Sequence, residues 1–247
     1  SDVPEGLPPE TEGEAGFRKA VQVAVEDGRD GLGLSIVKGA GLDHFLWSFP
    51  EPEPDVNLDP WTRDTRQIVV AGVNELGAAD FQYGPVSGAP ILVSAFGWMS
   101  VEFSTERGGT IVTTDRPGLA GFSRGSYVLD YGGPDAAAAM VGGVVALMHE
   151  ANPDLGWRDV QSILAASARH VGRAIGVAPE PWETAGDLIW GWNGAGTWNG
   201  GGMHFANAYG YGLVDAWAAV RLAETWRLTG EAAATSRNEA HASFDVL

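Results

Sequence analysis

Short apolar runs occupy the first half of the chain, and helical patterns dominate the second half. The short runs, bounded by Gly, Pro or charged residues, predict buried strands, and these lie at 33–41, 67–75 and 90–96. Apolar residues at helical spacing predict helices, and these lie from Phe17 to Gly28 and at about 135–151, 157–171 and 213–226. Because strands alternate with helices before helix follows helix, we expect an α/β fold with a mainly parallel sheet flanked by helices.

The remaining segments set the predicted domain boundaries. Gly, Ser, Thr and aromatic residues around "GTIVTTD" predict a β-hairpin or meander within 97–131. Residues 1–15 are acidic and rich in Pro and Gly, so we expect a solvated arm there. One domain then spans 16–228, and the polar, Ala-rich residues 229–247 predict a linker-like tail.

Charge and composition exclude several classes of function. The chain has 32 acidic and 15 basic residues, for a net charge of −17. That charge repels nucleic acid and anionic membranes, and it favours cations or basic peptides as partners. The absence of Cys excludes disulfides, zinc thiolates and a cysteine nucleophile. No apolar run is long enough to cross a membrane, and the first residues do not resemble a signal peptide.

The stretch "GGPDAAAAMVGG" predicts the start of a helix whose first turns carry mostly small side chains. Alanine is the best helix former, and a run of it lets another backbone approach closely. Asp135 stands where an N-cap residue belongs, so we expect its carboxylate to cap the helix. The alternative role, a nucleophile or base, is opposed by the helix dipole, which stabilises the charged carboxylate.

This helix, taken with "MHEANPDLGWRDVQSIL" after it, resembles the end of the catalytic domain of subtilisin-like serine proteases, in particular the kexin and furin branch. Further blocks agree with that family in order, and these are "GRDGLGLSIVKGAG" (28–41), "NLDPWTRDTRQIVVAGV" (57–73), "TIVTTD" (110–115) and "NAYGYGLVDAWAAVRLAETW" (207–226). The resemblance implies a subtilisin-like fold, here without its N-terminal strands, and a serine-endopeptidase-related function outside the cell or at its surface.

The same resemblance implies that the catalytic set is degenerate. The family's nucleophilic Ser corresponds to Asp135, and its oxyanion-stabilising Asn corresponds to Leu42, which cannot donate a hydrogen bond. The family's catalytic Asp and His would precede residue 1. We therefore expect a catalytically inactive domain, a pseudoprotease, retained for binding or assembly.

The resemblance also suggests where a partner would bind. The family's substrate-side wall corresponds to Lys38, Gly39, Ala40 and Gly41, which we expect to pair with an extended peptide or protein segment. The bare strand edge beside it would be covered by a separate chain that supplies the missing strands, or by a second copy of this chain. Two alternatives stay open: part of an active endopeptidase completed by another chain, and a structural spacer of a secreted or surface protein.

Calcium is the one cofactor that the sequence suggests. Asp55, Asn57 and Asp59 alternate as ligands in a calcium loop do, and kexin-like relatives bind calcium near this segment. An EF-hand is excluded because Pro60 and Arg66 stand where it needs Gly and Glu. The five histidines form no His-x-x-x-His pair, so we expect packing or surface roles for them. His44, close to Leu42, is the histidine most suited to a functional role.

Overall fold

The computed structural model describes residues 11–41, 56–79, 87–97, 111–177, 189–192 and 202–229. Its helices are α1 (Glu12–Asp27), α2 (Pro134–Ala151), α3 (Trp157–Ser167) and α4 (Ala216–Thr229). Its strands are β1 (Ile36–Gly39), β2 (Gln67–Val73), β3 (Ile91–Phe96), β4 (Ile111–Thr114), β5 (Tyr127–Tyr131), β6 (Gly191–Trp192) and β7 (His204–Phe205). No helix within these ranges is long and apolar enough to cross a membrane.

The central sheet is parallel, with the strand order β1-β2-β3. Ile36 of β1 is in register with Gln67 of β2, and Val70 of β2 is in register with Val93 of β3. Nearly every residue of β2 is buried, because helices or loops cover both faces of a parallel sheet. The predicted α/β fold with a mainly parallel sheet is confirmed.

Helices α2 and α3 pack against one face of this sheet, and α4 packs against α2 and α3. The main core cluster is apolar throughout, and it includes Ile68, Val70, Val93, Ala137, Val141, Met148, Val160, Ile163, Leu164, Ala219 and Ala223. The small residues at the start of α2 let the helix lie almost on the backbone of the sheet. A Cβ atom on Gly97, just after β3, would lie 2.5 Å from the carbonyl oxygen of Gly133.

The predicted hairpin is present as the antiparallel pair β4 and β5. The first helix differs from its prediction, because it begins at Glu12 rather than near Phe17. The side chain of Thr11 accepts a hydrogen bond from the amide of Glu14, and the Glu14 carboxylate accepts one from the amide of Thr11. This capping box starts the helix inside the segment predicted as a solvated arm, so the arm does not extend to residue 15.

Candidate functional site

The tip of α2 meets the carboxyl end of β1, and this junction holds most of the predicted site residues. A Cβ atom on Gly39 would lie 2.6 Å from Oδ1 of Asp135 and 2.9 Å from the carbonyl carbon of Pro134. Gly39 is buried, whereas Asp135 is exposed. The structure therefore places Asp135, the residue predicted to occupy the family's serine position, directly against the predicted substrate-side wall.

The prediction that Asp135 caps α2 is wrong. The N-cap is Gly133, which has φ 99 and makes no side-chain cap, and Pro134 follows it as the first helical residue. The positive φ of Gly133 favours glycine, and its amide donates to the carbonyl of Gly97 over 2.6 Å, at a close approach that leaves no room for a side chain on Gly97. Asp135 is left in the first helical turn, where its charge still suits the positive end of the helix dipole.

The chemistry available at this tip is that of an isolated carboxylate. Asp135 has no hydroxyl to attack a carbonyl, and the histidine on the same helix is far away. His149 lies 14 residues further along α2, which corresponds to about 21 Å along the axis. The other two histidines in the described ranges, His170 and His204, contact Trp190 instead. The described residues therefore offer no serine–histidine pair at the tip of α2.

The predicted substrate-side wall, residues 38–41, is hydrogen-bonded to β2 on one side. The amide of Ala40 donates to the carbonyl of Val70 over 2.8 Å. The ammonium of Lys38 lies 3.2 Å from the carbonyl oxygen of Gly39 and 3.7 Å from Oδ2 of Asp59. Gly41 follows with φ +100, a conformation that favours glycine. Because β1 is the first strand in the sheet order, its outer edge pairs with no strand among the described residues.

The structure brings together two candidate sites that the sequence predicts separately. Lys38 was predicted for peptide binding and Asp59 for calcium, yet their charged groups form an ion pair. Opposite charge was the only signal in the sequence for this contact. Leu42, Asp55 and His44 lie outside the described residues.

The remaining calcium candidates already have hydrogen-bond donors. Oδ1 of Asn57 accepts from the amide of Ala89 over 3.2 Å, and Oδ1 of Asp59 accepts from the amide of Trp61 over 2.9 Å. Within the ranges that the structure describes, no three His, Asp or Glu side chains come together as a metal site. A Ca²⁺ ion at this loop would have to compete with these donors for the same oxygens.

Comparison with known proteins agrees with this architecture. The chain is 27% identical over 209 residues to "PC3-like endoprotease variant B" of Hydra vulgaris, covering 85% of this chain and 24% of that protein. It is 30% identical over 217 residues to "Proprotein convertase subtilisin/kexin type 5" of Branchiostoma californiense, covering 87% of this chain and 11% of that protein. No protein-family model matches the chain.

Among solved structures, the serine protease of Aeromonas sobria matches with a TM-score of 0.69 and 23% identity. The match covers 90% of this chain and 42% of that protease. The chain has the subtilisin-like fold. The resemblance to kexin- and furin-like subtilisin-like proteases is confirmed, and the chain is a domain related to them. This subtilisin-like domain spans about a quarter of the length of the Hydra relative and a smaller share of the Branchiostoma one.

Proposed function

We propose that this subtilisin-like domain lacks peptidase activity and binds an extended peptide or protein segment along the outer edge of β1. The observation that carries the proposal is the position of Asp135 in the first turn of α2, at the place that the sequence resemblance assigns to the family's nucleophilic serine. A carboxylate there cannot form the acyl-enzyme of a serine protease. The Leu at the oxyanion position, Leu42, supports the same conclusion.

The outer edge of β1, which pairs with no strand in the described part of the chain, supports the proposed binding surface. A parallel strand with a free edge presents a row of backbone donors and acceptors to which another extended segment can add. Lys38 at this edge is already neutralised by Asp59, and Asp135 adds a further negative charge beside Gly39. Together with the net charge of −17, this arrangement favours a basic segment over an acidic one.

We propose that a protein supplies that segment. The edge would fit, by its shape, a chain that carries the strands preceding β1 in the subtilisin-like fold. A second copy of this chain is the alternative source. The Aeromonas protease with the same fold has also been solved in a complex with its chaperone, which supports the idea that this fold accepts a protein partner. We propose an extracellular or cell-surface location, on the basis of the relatives alone.

Active-site labelling tests the proposed loss of activity. The chain, the variant Asp135→Ser and the matched control Asp135→Ala are each incubated with a fluorophosphonate probe and with fluorogenic peptides. We expect no labelling and no turnover in all three, because a restored serine would still lack its base and its oxyanion donor. Stoichiometric labelling of the unmodified chain would refute the proposal. Labelling of Asp135→Ser alone would show that this chain itself activates a serine at that position, and it would contradict the predicted loss of base and oxyanion donor.

A further inference from the structure

A cluster of two histidines, a tryptophan and a tyrosine lies in the second core of the domain, away from the tip of α2. We call it the histidine cluster; its members are His170, Trp190, His204 and Tyr209. The ring centroids of His170 and His204 are 5.6 Å apart, with the ring planes at 89°. Trp190 lies 4.7 Å from His170 and 5.3 Å from His204, and it is only 1% exposed.

Three nitrogen atoms of this cluster have no hydrogen-bond partner among the described residues. Nε2 of His170, Nε2 of His204 and Nε1 of Trp190 are all buried, and none of them makes a hydrogen bond in the described part of the chain. A buried nitrogen without a partner costs free energy, typically about 1–3 kcal/mol, so three in contact need an explanation. A bound species that satisfies them would provide it.

The hydrogen bond that His204 makes leaves its Nε2 atom available as a ligand. A hydrogen bond to the backbone of Tyr211 favours a proton on the ring. Because Nε2 has no partner, the nitrogen that makes this bond is Nδ1. With its proton on Nδ1, the neutral ring exposes a lone pair on Nε2. A backbone carbonyl on the far nitrogen is the usual outer partner of a metal-bound histidine.

The separation of the two rings also fits a shared ion. A metal bonded to Nε2 at 2.0–2.1 Å lies about 3.2 Å from the ring centroid, so two rings at a tetrahedral angle have centroids ~5.2 Å apart. The observed 5.6 Å is close to that value. The charge of −17 raises the local concentration of cations around the whole domain.

We propose that His170 and His204 bind one divalent transition-metal ion, Zn²⁺ or a cation of similar preference, through their Nε2 atoms. Imidazole nitrogen suits Zn²⁺, Cu²⁺ and Ni²⁺, whereas it is a poor ligand for Ca²⁺. Water fills the positions that the two rings leave open, and the indole N–H of Trp190, which can only donate, bonds to such a water. The ion links the segment after α3, which carries His170, to β7, which carries His204.

Metal titration of the full chain tests this site. After EDTA treatment and dialysis, Zn²⁺ is added and followed by calorimetry and thermal melting, and Co²⁺ is followed by its visible absorption. We expect one ion per chain, a rise in the melting temperature, and the absorption of a nitrogen-ligated Co²⁺. The loss of an outer-shell partner typically lowers metal affinity ~10–100-fold. His170→Gln and His204→Gln each remove a direct ligand, so each should lower the affinity for Zn²⁺ by more than that. His149→Gln, a change of another partly buried histidine, is the matched control and should bind as the unmodified chain does.

Imidazole ¹⁵N NMR of the unmodified chain provides a measurement that does not depend on the variants folding. Zn²⁺ should shift Nε2 of His170 and of His204 and leave His149 unchanged. The proposal is overturned if Zn²⁺ at saturating calorimetric concentration does not bind, or if it shifts other histidines instead. It is equally overturned if a crystal soaked in Zn²⁺ shows a water bonded to both Nε2 atoms.

Discussion

Nε2 of His149 lies 3.1 Å from the hydroxyl oxygen of Ser35, and this contact joins the last turn of α2 to the segment just before β1. The other ring nitrogen, Nδ1, is buried and has no hydrogen-bond partner in the described part of the chain. Burial, and to a smaller extent the positive charge of Arg29, lower the pKa of His149 to about 4. The ring is therefore neutral in the folded state at neutral pH.

This depressed pKa predicts a loss of stability in mild acid. In the unfolded chain His149 takes up a proton near its ordinary pKa of 6.5, whereas in the folded domain it does so only near pH 4. Between these values the unfolded state binds more protons, so the stability contributed by this ring is complete above pH 6.5 and falls as the pH drops towards 4. We expect a loss of about 1–2 kcal/mol, less than the full shift gives, because the ring is partly solvated.

Urea unfolding between neutral pH and the lower limit of folding measures this effect. The control is His149→Gln, which keeps a polar side chain without a titrating group. The difference in unfolding free energy between the two proteins should shrink as the pH falls through this window. An identical pH dependence in the variant would contradict the assignment to His149.

A second prediction concerns the contact between Gly39 and the tip of α2. Gly39→Ala would place a Cβ atom against Oδ1 of Asp135 and the backbone of Pro134. The Asp135 side chain can rotate away, but the backbone of α2 cannot, so we expect a destabilisation of about 1–3 kcal/mol from overpacking. Thermal and chemical unfolding provide the measurement.

The control for Gly39 lies within α2 itself. A Cβ atom on Gly142 would meet nothing within 4 Å, so Gly142→Ala should stabilise the helix by up to about 1 kcal/mol. Equal effects of the two substitutions would show that β1 and α2 do not meet as closely as described.

Much of the fold could be predicted because its signals are local. The apolar runs of β2 and β3 and the spacing of Val160, Ile163 and Leu164 in α3 are visible in the sequence. The start of α2 could not be predicted in the same way. Asp135 has the composition of an N-cap residue, but the hydrogen bond between the amide of Gly133 and the carbonyl of Gly97 decides where the helix begins.

The candidate sites show the same limit. The sequence pointed to Asp135 by its position in a motif, and its closeness to Gly39 became visible only in the structure. The rings of His170 and His204 are 34 residues apart in sequence and have no shared motif. Backbone hydrogen bonds between Arg169 and Leu213 and the packing of both rings against Trp190 bring them together, and no pattern in the sequence indicates these contacts.

A third prediction is that the loop before β2 binds calcium weakly or not at all. Oδ1 of Asn57 and Oδ1 of Asp59 already accept backbone hydrogen bonds, and the ammonium of Lys38 lies beside Oδ2 of Asp59. A bound Ca²⁺ would need six or more oxygens and would have to displace that ammonium. Thermal melting with added Ca²⁺ should therefore show no shift, and Lys38→Gln, which removes the competing charge, is the informative comparison. A large shift at micromolar Ca²⁺ in the unmodified chain would establish a calcium site and refute the prediction.

The last prediction concerns the outer edge of β1. Successive residues of a parallel strand direct their backbone groups to opposite neighbours. Ala40 donates to Val70 of β2, so Lys38 also faces β2, and the amides of Val37 and Gly39 face the outer edge. An apolar strand that offers these donors pairs with another chain when no strand of its own chain covers it. We therefore expect the purified chain to self-associate at micromolar concentration.

The variant Val37→Pro removes one outward donor and should weaken self-association. The control Val37→Ala loses similar packing against the core but keeps the donor, so it should self-associate as the unmodified chain does. Sedimentation velocity over a dilution series measures this. If the chain stays monomeric at every concentration and Val37→Pro changes nothing, the outer edge of β1 does not mediate self-association.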